Sequence, residues 1–155
     1  MTANKPSILI VEDDASIRAT LSAILQHKGY NTDTAETGQE AIRKSKTKFY
    51  NLALLDIKLP DMDGTELLTA LHGDLPKMVK IIVTGYPSLE NATEALNKGA
   101  NAYLMKPVDP EKLLALIKEK LDEQSQTEKM TEEKVTEWIK TRARKLETEN
   151  QKQFT

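Results

Sequence analysis

Five short runs of strand character, each closed by a polar residue and followed by a stretch of helical periodicity, constrain this chain more than any other feature. The runs are Ser7–Val11, residues 30–35, Leu52–Leu55, residues 80–84 and Ala102–Met105. Four are dominated by apolar residues and are too short for helices; residues 30–35 alternate as a strand does. Between them, Ile17, Leu21, Ile24 and Leu25 fall on one helical face, with Gly29 as a stop. Residues 37–48 predict a helix with Ala41, Ile42 and Phe49 on its apolar side. Leu67, Leu68 and Leu71 mark a third helix, and residues 88–98, closed by Gly99, a fourth. A fifth begins at Asp109-Pro110 and carries Leu113, Leu114, Leu116, Ile117 and Leu121. Strand and helix thus alternate five times, which predicts an α/β domain: a doubly wound parallel sheet with helices on both faces.

In such a sheet every strand C-terminus lies on one rim, where open α/β sheets place ligands. Glu12, Asp13 and Asp14 follow the first run, Asp56 the third, Thr84 closes the fourth, and Lys106 follows the fifth. Asp56 opens a turn containing Pro60 and Gly64. Singly, each has an ordinary explanation: Asp56 as a loop cap, Lys106 as a solvated amine, Thr84 as a backbone-bonded hydroxyl. Together they place several carboxylates, a hydroxyl and an amine on one edge, where like charges repel unless a cation neutralises them. With only oxygen ligands at hand, the matching cation is Mg²⁺. Phosphoryl transfer needs positioning and neutralisation of equatorial oxygens, which Mg²⁺, Lys106 and Thr84 can supply. Asp56 would be the nucleophile, forming an acyl phosphate.

Composition narrows the classes. The 155 residues suffice for one domain with a proper core. Formal net charge is −2, so no global attraction to nucleic acid or anionic membrane is expected. Without cysteine, disulfides and thiolate chemistry are excluded. No apolar run approaches a membrane span and residues 1–6 lack the apolar core of a signal peptide, so a cytoplasmic protein is expected.

The set of motifs resembles the response-regulator receiver domain of two-component signalling. It consists of Glu12-Asp13, Asp56 followed by Leu59-Pro60-Asp61-Met62-Asp63-Gly64, then Thr84-Gly85 and Lys106-Pro107, and spans about residues 5–121. The resemblance implies a flavodoxin-like (βα)5 sheet of order 2-1-3-4-5, with Asp56 accepting phosphate from a sensor histidine kinase. It implies that Asp13 and Asp56 ligate Mg²⁺ directly, Glu12 acts through water, and the Lys58 backbone carbonyl is a further ligand, with Asp14 at the next position. It implies a switch in which Thr84 moves toward the phosphate and Tyr103 rotates inward; plain strand packing is the other reading of Tyr103. Lys106-Pro107 becomes a candidate cis bond. Lys58 and Tyr86, two residues beyond Asp56 and Thr84, are expected to tune phosphoryl lifetime. A side chain at Gly85 is expected to crowd the phosphoryl site. His27 and His72 lack partners in helical register and read as surface residues.

Two alternatives of other classes are open. Asp61-Met62-Asp63-Gly64-Thr65 matches the nucleophile motif of haloacid-dehalogenase-type phosphatases, with Asp61 as nucleophile and Asp63 as general acid. Against it, the apolar run ends at Asp56 and Pro60 puts Asp61 in a turn. A degenerate receiver acting as a scaffold is the other, and the intact acid set, Thr84 and Lys106 argue against it.

The receiver is expected over 1–121, a polar linker or exposed helix over 122–130, and an amphipathic charged helix and tail over 131–155. Thr131-Glu-Glu-Lys resembles a capping box, and Val135, Trp138, Ile139 and Leu146 share a face. That helix either docks on its own receiver, pairs with a second copy through the heptad register shared by Leu114, Ile117, Leu121, Val135 and Trp138, which the polar Gln124, Glu128 and Thr131 interrupt, or recognises another protein. Some 34 residues are too few for a DNA-binding output domain. The reading is a stand-alone phosphorylation switch, not an enzyme in the usual sense. It signals through protein contacts on the fourth helix, fifth strand and fifth helix, with possible homodimerisation.

Overall fold

The period-two alternation of the apolar runs sorts their side chains onto two faces of one sheet, and the helices cover both. The computed structural model of the chain describes residues 5–71 and 77–153. Its strands are β1 (Ser7–Val11), β2 (Asn31–Ala35), β3 (Leu52–Leu55), β4 (Val79–Thr84) and β5 (Ala102–Met105). Its helices are α1 (Ala15–His27), α2 (Gly38–Thr47), α3 (Gly64–Ala70), α4 (Leu89–Asn97) and α5 (Pro110–Gln153). All strand pairs are parallel, in the order β2-β1-β3-β4-β5.

Ile8, Ile10, Leu52, Leu54, Ile81 and Val83 point to one face and pack with Leu21 and Leu25 of α1 and Leu113 and Ile117 of α5. Their neighbours Leu9, Val11, Ala53, Leu55 and Ile82 point to the other and meet Ala41, Leu67, Leu68 and Ala95 of α2, α3 and α4. The central strand β3 is buried along its whole length, as a strand covered on both faces must be. The edge strand β2 is Asn-Thr-Asp-Thr-Ala and only its last residue is buried, which suits an unpaired flank.

Caps set the helix starts. The side chains of Asp14, Thr37, Asp63 and Ser88 accept backbone N–H bonds from the first turns of α1, α2, α3 and α4. Gly29 and Gly99 follow the C-caps of α1 and α4 with φ of 94° and 103°, the left-handed region that glycine enters at no steric cost.

Two local expectations are corrected. Phe49 is not on the apolar side of α2 but 46% exposed, and Tyr50 is the buried ring at 1%. The reason is the end of the helix at Thr47: Lys48 turns extended, and alternation then sends Tyr50 inward. Thr131 does not start a helix. It lies within α5, its hydroxyl donating to the Thr127 carbonyl one turn back, because no residue after Pro110 breaks the helical pattern. Internal contacts divide the chain into two units at the Leu121/Asp122 boundary. In the second unit Val135, Trp138, Ile139 and Leu146 are each more than half exposed.

Candidate functional site

Three polar residues are held on the rim because their backbone extends the sheet ladder by one step. The Glu12 amide donates to the Ala35 carbonyl at 3.0 Å, Asp56 to Val11 at 3.1 Å, and Lys106 to Thr84 at 2.8 Å. Their side chains therefore leave rigid backbone. Glu12, Asp56 and Thr84 are 3%, 7% and 0% exposed.

Lys106 Nζ donates to Glu12 Oε2 at 2.6 Å and to Asp56 Oδ2 at 3.1 Å. Burial pushes the Glu12 carboxyl above its ordinary value, the Lys106 hydrogen bond opposes that, and the Asp56 charge adds to it. Burial alone would lower the Lys106 ammonium, but its bonds to Glu12 and Asp56 and their charges outweigh burial and hold it high. Glu12, Asp13 and Asp56 each offer a carboxylate oxygen, all within 4.8 Å of one another. The Lys106 ammonium bonds two of these three carboxylates, so negative charge remains uncompensated. Hard oxygen donors with excess negative charge fit Mg²⁺.

The remaining residues singled out from the sequence fall around this centre. Thr84 Oγ1 accepts the Tyr86 amide at 3.0 Å. The Lys58 amide donates to Asp56 Oδ1 at 3.3 Å, and Lys58 bridges to Asp63 across the turn. The Lys58 ammonium lies 3.7 Å from the centroid of the Tyr86 ring, so these two side chains meet. Tyr103 is partly buried against the α2–α3–α4 core, and its hydroxyl is buried without a hydrogen-bond partner among the described residues. The Lys106–Pro107 peptide is cis. A Cβ at Gly85 would meet nothing nearer than Lys106 Cδ at 3.8 Å, so protein atoms alone do not crowd that position.

Three aspartates belong elsewhere. Asp14 caps α1 through a 2.9 Å bond from Ile17 N–H and lies outside the group of three. Asp61 accepts the Gly38 and Gln39 amides at 2.8 and 2.9 Å, capping α2 from a distance. Asp63 accepts both the amide and the hydroxyl of Thr65, each at 2.9 Å. Asp61 and Asp63 are thus both bound to helix starts, apart from the acidic group that contains Asp56. His27 is exposed, and His72 lies outside the described residues.

One residue near the centre escaped sequence reasoning. Arg18, on the first turns of α1, reaches back to the carbonyls of Glu12 and Asp13. Its only signal was a cation five residues after an acidic pair, which solvated helices also produce.

Comparisons agree with this geometry. Residues 8–118 match the family profile of the response regulator receiver domain. A solved receiver domain protein (CheY-like) from Methanospirillum hungatei JF-1 is 53% identical with a TM-score of 0.77, covering 80% of this chain and 99% of that one. The beryllofluoride-activated NtrC4 receiver domain dimer is 39% identical with a TM-score of 0.71, over 76% and 98%. Transcriptional regulatory protein ZraR of Klebsiella oxytoca is 38% identical over 121 residues, 78% of this chain. The chain spans only 27% of that relative's length.

Proposed function

This chain belongs to the response regulator receiver domain family of two-component signalling, and from that premise we propose that Asp56 is its phosphoacceptor. The observation that carries the reading is the buried Asp56 carboxylate at the end of β3, bonded by Lys106 and grouped with Glu12 and Asp13. An Asp56 oxygen attacks the phosphorus of a kinase phosphohistidine. The P–N bond breaks, its electron pair leaves with the imidazole, and an acyl phosphate forms.

Asp13 and Asp56 would hold Mg²⁺ directly, with Glu12 through water and the Lys58 carbonyl as a further ligand. Bound there, the ion neutralises charge on the phosphoryl oxygens. Lys106 is already on Asp56 and can follow a developing phosphoryl oxygen with little movement. Thr84 offers a hydroxyl whose oxygen is oriented by the Tyr86 amide. Lys58 and Tyr86 lie two residues past Asp56 and Thr84, and their contact supports a joint role in phosphoryl lifetime. Tyr103 is proposed to follow Thr84 when the charge of the phosphoryl group arrives.

Residues 1–121 would act as the receiver and the helix beyond them as a separate output element. Leu89, Leu96 and Met105 are more than half exposed, which supports a protein contact on α4 and β5. The exposed apolar residues of the α5 extension support a second one, with a copy of this chain or a downstream protein. Among the described residues the chain after Leu121 is a single helix, and none is long and apolar enough to cross a membrane.

The test is intact mass after incubation with MgCl₂ and acetyl phosphate. A labile single-phosphate adduct is expected on the wild type and not on Asp56→Asn. An adduct that survives in the variant would put the nucleophile elsewhere.

A further inference from the structure

The acidic loop between β1 and α1 is braced from behind. Arg18 Nη1 donates to the Glu12 carbonyl at 2.8 Å and to the Asp13 carbonyl at 3.3 Å. Nη2 donates to Glu36 Oε1 at 3.2 Å. The Arg18 side chain is only 16% exposed, whereas Glu36 is 66% exposed. The Glu36 bond is therefore a weak, solvent-screened tether, and the two carbonyl bonds are the ones that define where the guanidinium sits.

Those carbonyls belong to the two consecutive residues whose carboxylates join Asp56 in the group of three. A peptide plane held through its carbonyl fixes where the adjoining side chains leave the chain. Asp13 needs this most, because it is exposed, whereas burial already restrains Glu12 and Asp56. Asp14 reinforces the same turn, its amide donating to Glu12 Oε1 at 3.2 Å while its carboxylate caps α1.

We propose that Arg18 is a positioning residue for divalent-cation binding. By holding the Glu12 and Asp13 carbonyls it presents the Asp13 carboxylate toward Glu12 and Asp56 before the ion arrives. This rests on the reading that these three carboxylates hold Mg²⁺. Groups that orient metal ligands from behind typically change affinity by about 10- to 100-fold.

Electrostatics gives the opposite sign, which makes the proposal sharp. A guanidinium near a cation site repels the cation, so by charge alone Arg18→Met should bind Mg²⁺ more tightly and Arg18→Lys should bind as wild type does. Positioning predicts that both bind more weakly, because lysine keeps the charge but its ammonium ends one bond short of Nη1, the nitrogen that donates to both carbonyls.

Calorimetric titration of the full chain with MgCl₂ decides between them, alongside melting temperature in metal-free buffer. The expected result is about tenfold weaker binding in Arg18→Met, a smaller loss in Arg18→Lys, and no change in Glu36→Gln. A purely structural role would lower the metal-free melting temperature of the Arg18 variants and leave their Mg²⁺ affinity unchanged; that result overturns the proposal. So does tighter binding in Arg18→Met. Should Arg18→Met fail to fold, Arg18→Lys alone decides, and unchanged affinity there overturns the proposal. Absence of Mg²⁺ binding in the wild type, or full affinity in Asp13→Asn, would instead remove the metal reading itself.

Discussion

Two tyrosines sit in the core region with opposite hydrogen-bond status, and single substitutions should separate them. Tyr50 donates to Asp33 Oδ2 at 2.6 Å, and Lys48 donates to the same oxygen at 2.9 Å. Tyr103 has a buried hydroxyl with no partner among the described residues. Tyr50→Phe leaves a carboxylate short of a donor and should cost about 1–2 kcal/mol in urea unfolding, whereas Tyr103→Phe should be neutral or stabilising by about 1 kcal/mol. The Tyr50 bond is the first cause holding the Asp33 carboxyl below its ordinary value; burial opposes it and Lys48 adds to it. Burial, then the bond to Asp33, raises the Tyr50 hydroxyl. A depressed carboxyl stabilises the fold above its unfolded pKa and loses that contribution as pH falls through the folded value; a raised phenol loses its contribution as pH rises past about 10. The stability gap between wild type and Tyr50→Phe should therefore be flat from about pH 6 to 9 and narrow below about pH 4 and above about pH 10. A gap that stays constant across both limbs would deny the coupling. At the rim, the Lys58 ammonium covers the Tyr86 ring, and the Lys58 amide donates to Asp56. Lys58→Ala and Tyr86→Ala should each shorten the acyl-phosphate half-life by opening the approach of water, measured by phosphate release.

At the scale of elements, the turn after β3 shows how one loop joins the site to the frame. Gly64 N–H donates to the Ile57 carbonyl at 2.6 Å, and a Cβ on Gly64 would overlap the Asp56 carbonyl oxygen and lie 2.8 Å from Ile57 Cα. Gly64→Ala should destabilise by about 2–3 kcal/mol, read from the urea midpoint, because backbone rather than a flexible tip must yield. Asp61 is held by backbone amides of Gln39 and Gly38, which keep its carboxyl below the ordinary value. Asp61→Asn should lower the melting temperature and leave acetyl-phosphate labelling intact. Loss of labelling with an unchanged melting temperature would return Asp61 to the nucleophile's role. Most of the elements themselves were legible. Asp56 stood out because an apolar run stopped at it, and Ser88 and Gly99 bracketed α4 as caps should. Phe49 and Tyr50 were not legible, since the face each takes depends on whether α2 ends one residue earlier or later. Thr131 misled for a related reason: the letters of a capping box also fit a helix interior.

For the whole molecule, the single tryptophan lies outside the receiver. Trp138 is 65% exposed on the α5 extension, with the Arg142 guanidinium 6.0 Å from its ring centroid. Intrinsic tryptophan fluorescence should be water-like in its maximum and fully open to iodide quenching in the dilute protein. A shielded, blue-shifted emission in the dilute protein would show that this face is already covered. The same signal then reports which state covers it: a shift on phosphorylation that grows with concentration points to a second copy, and a shift only on adding another protein points to a partner.

The amino-acid sequence by itself determined the alternation of strands and helices, the order of the runs and the residue that ends each one. Those are local properties, set by periods of two and 3.6 and by which residues stop a strand or start a helix. Only the tertiary structure decided which aspartates gather and which cap. Asp13 and Asp56 join one acidic group, while Asp14, Asp61 and Asp63 accept amides at helix starts. A carboxylate is chemically the same in both duties. What distinguishes them is which neighbours stand within about 3 Å, and that depends on segments far apart in the chain.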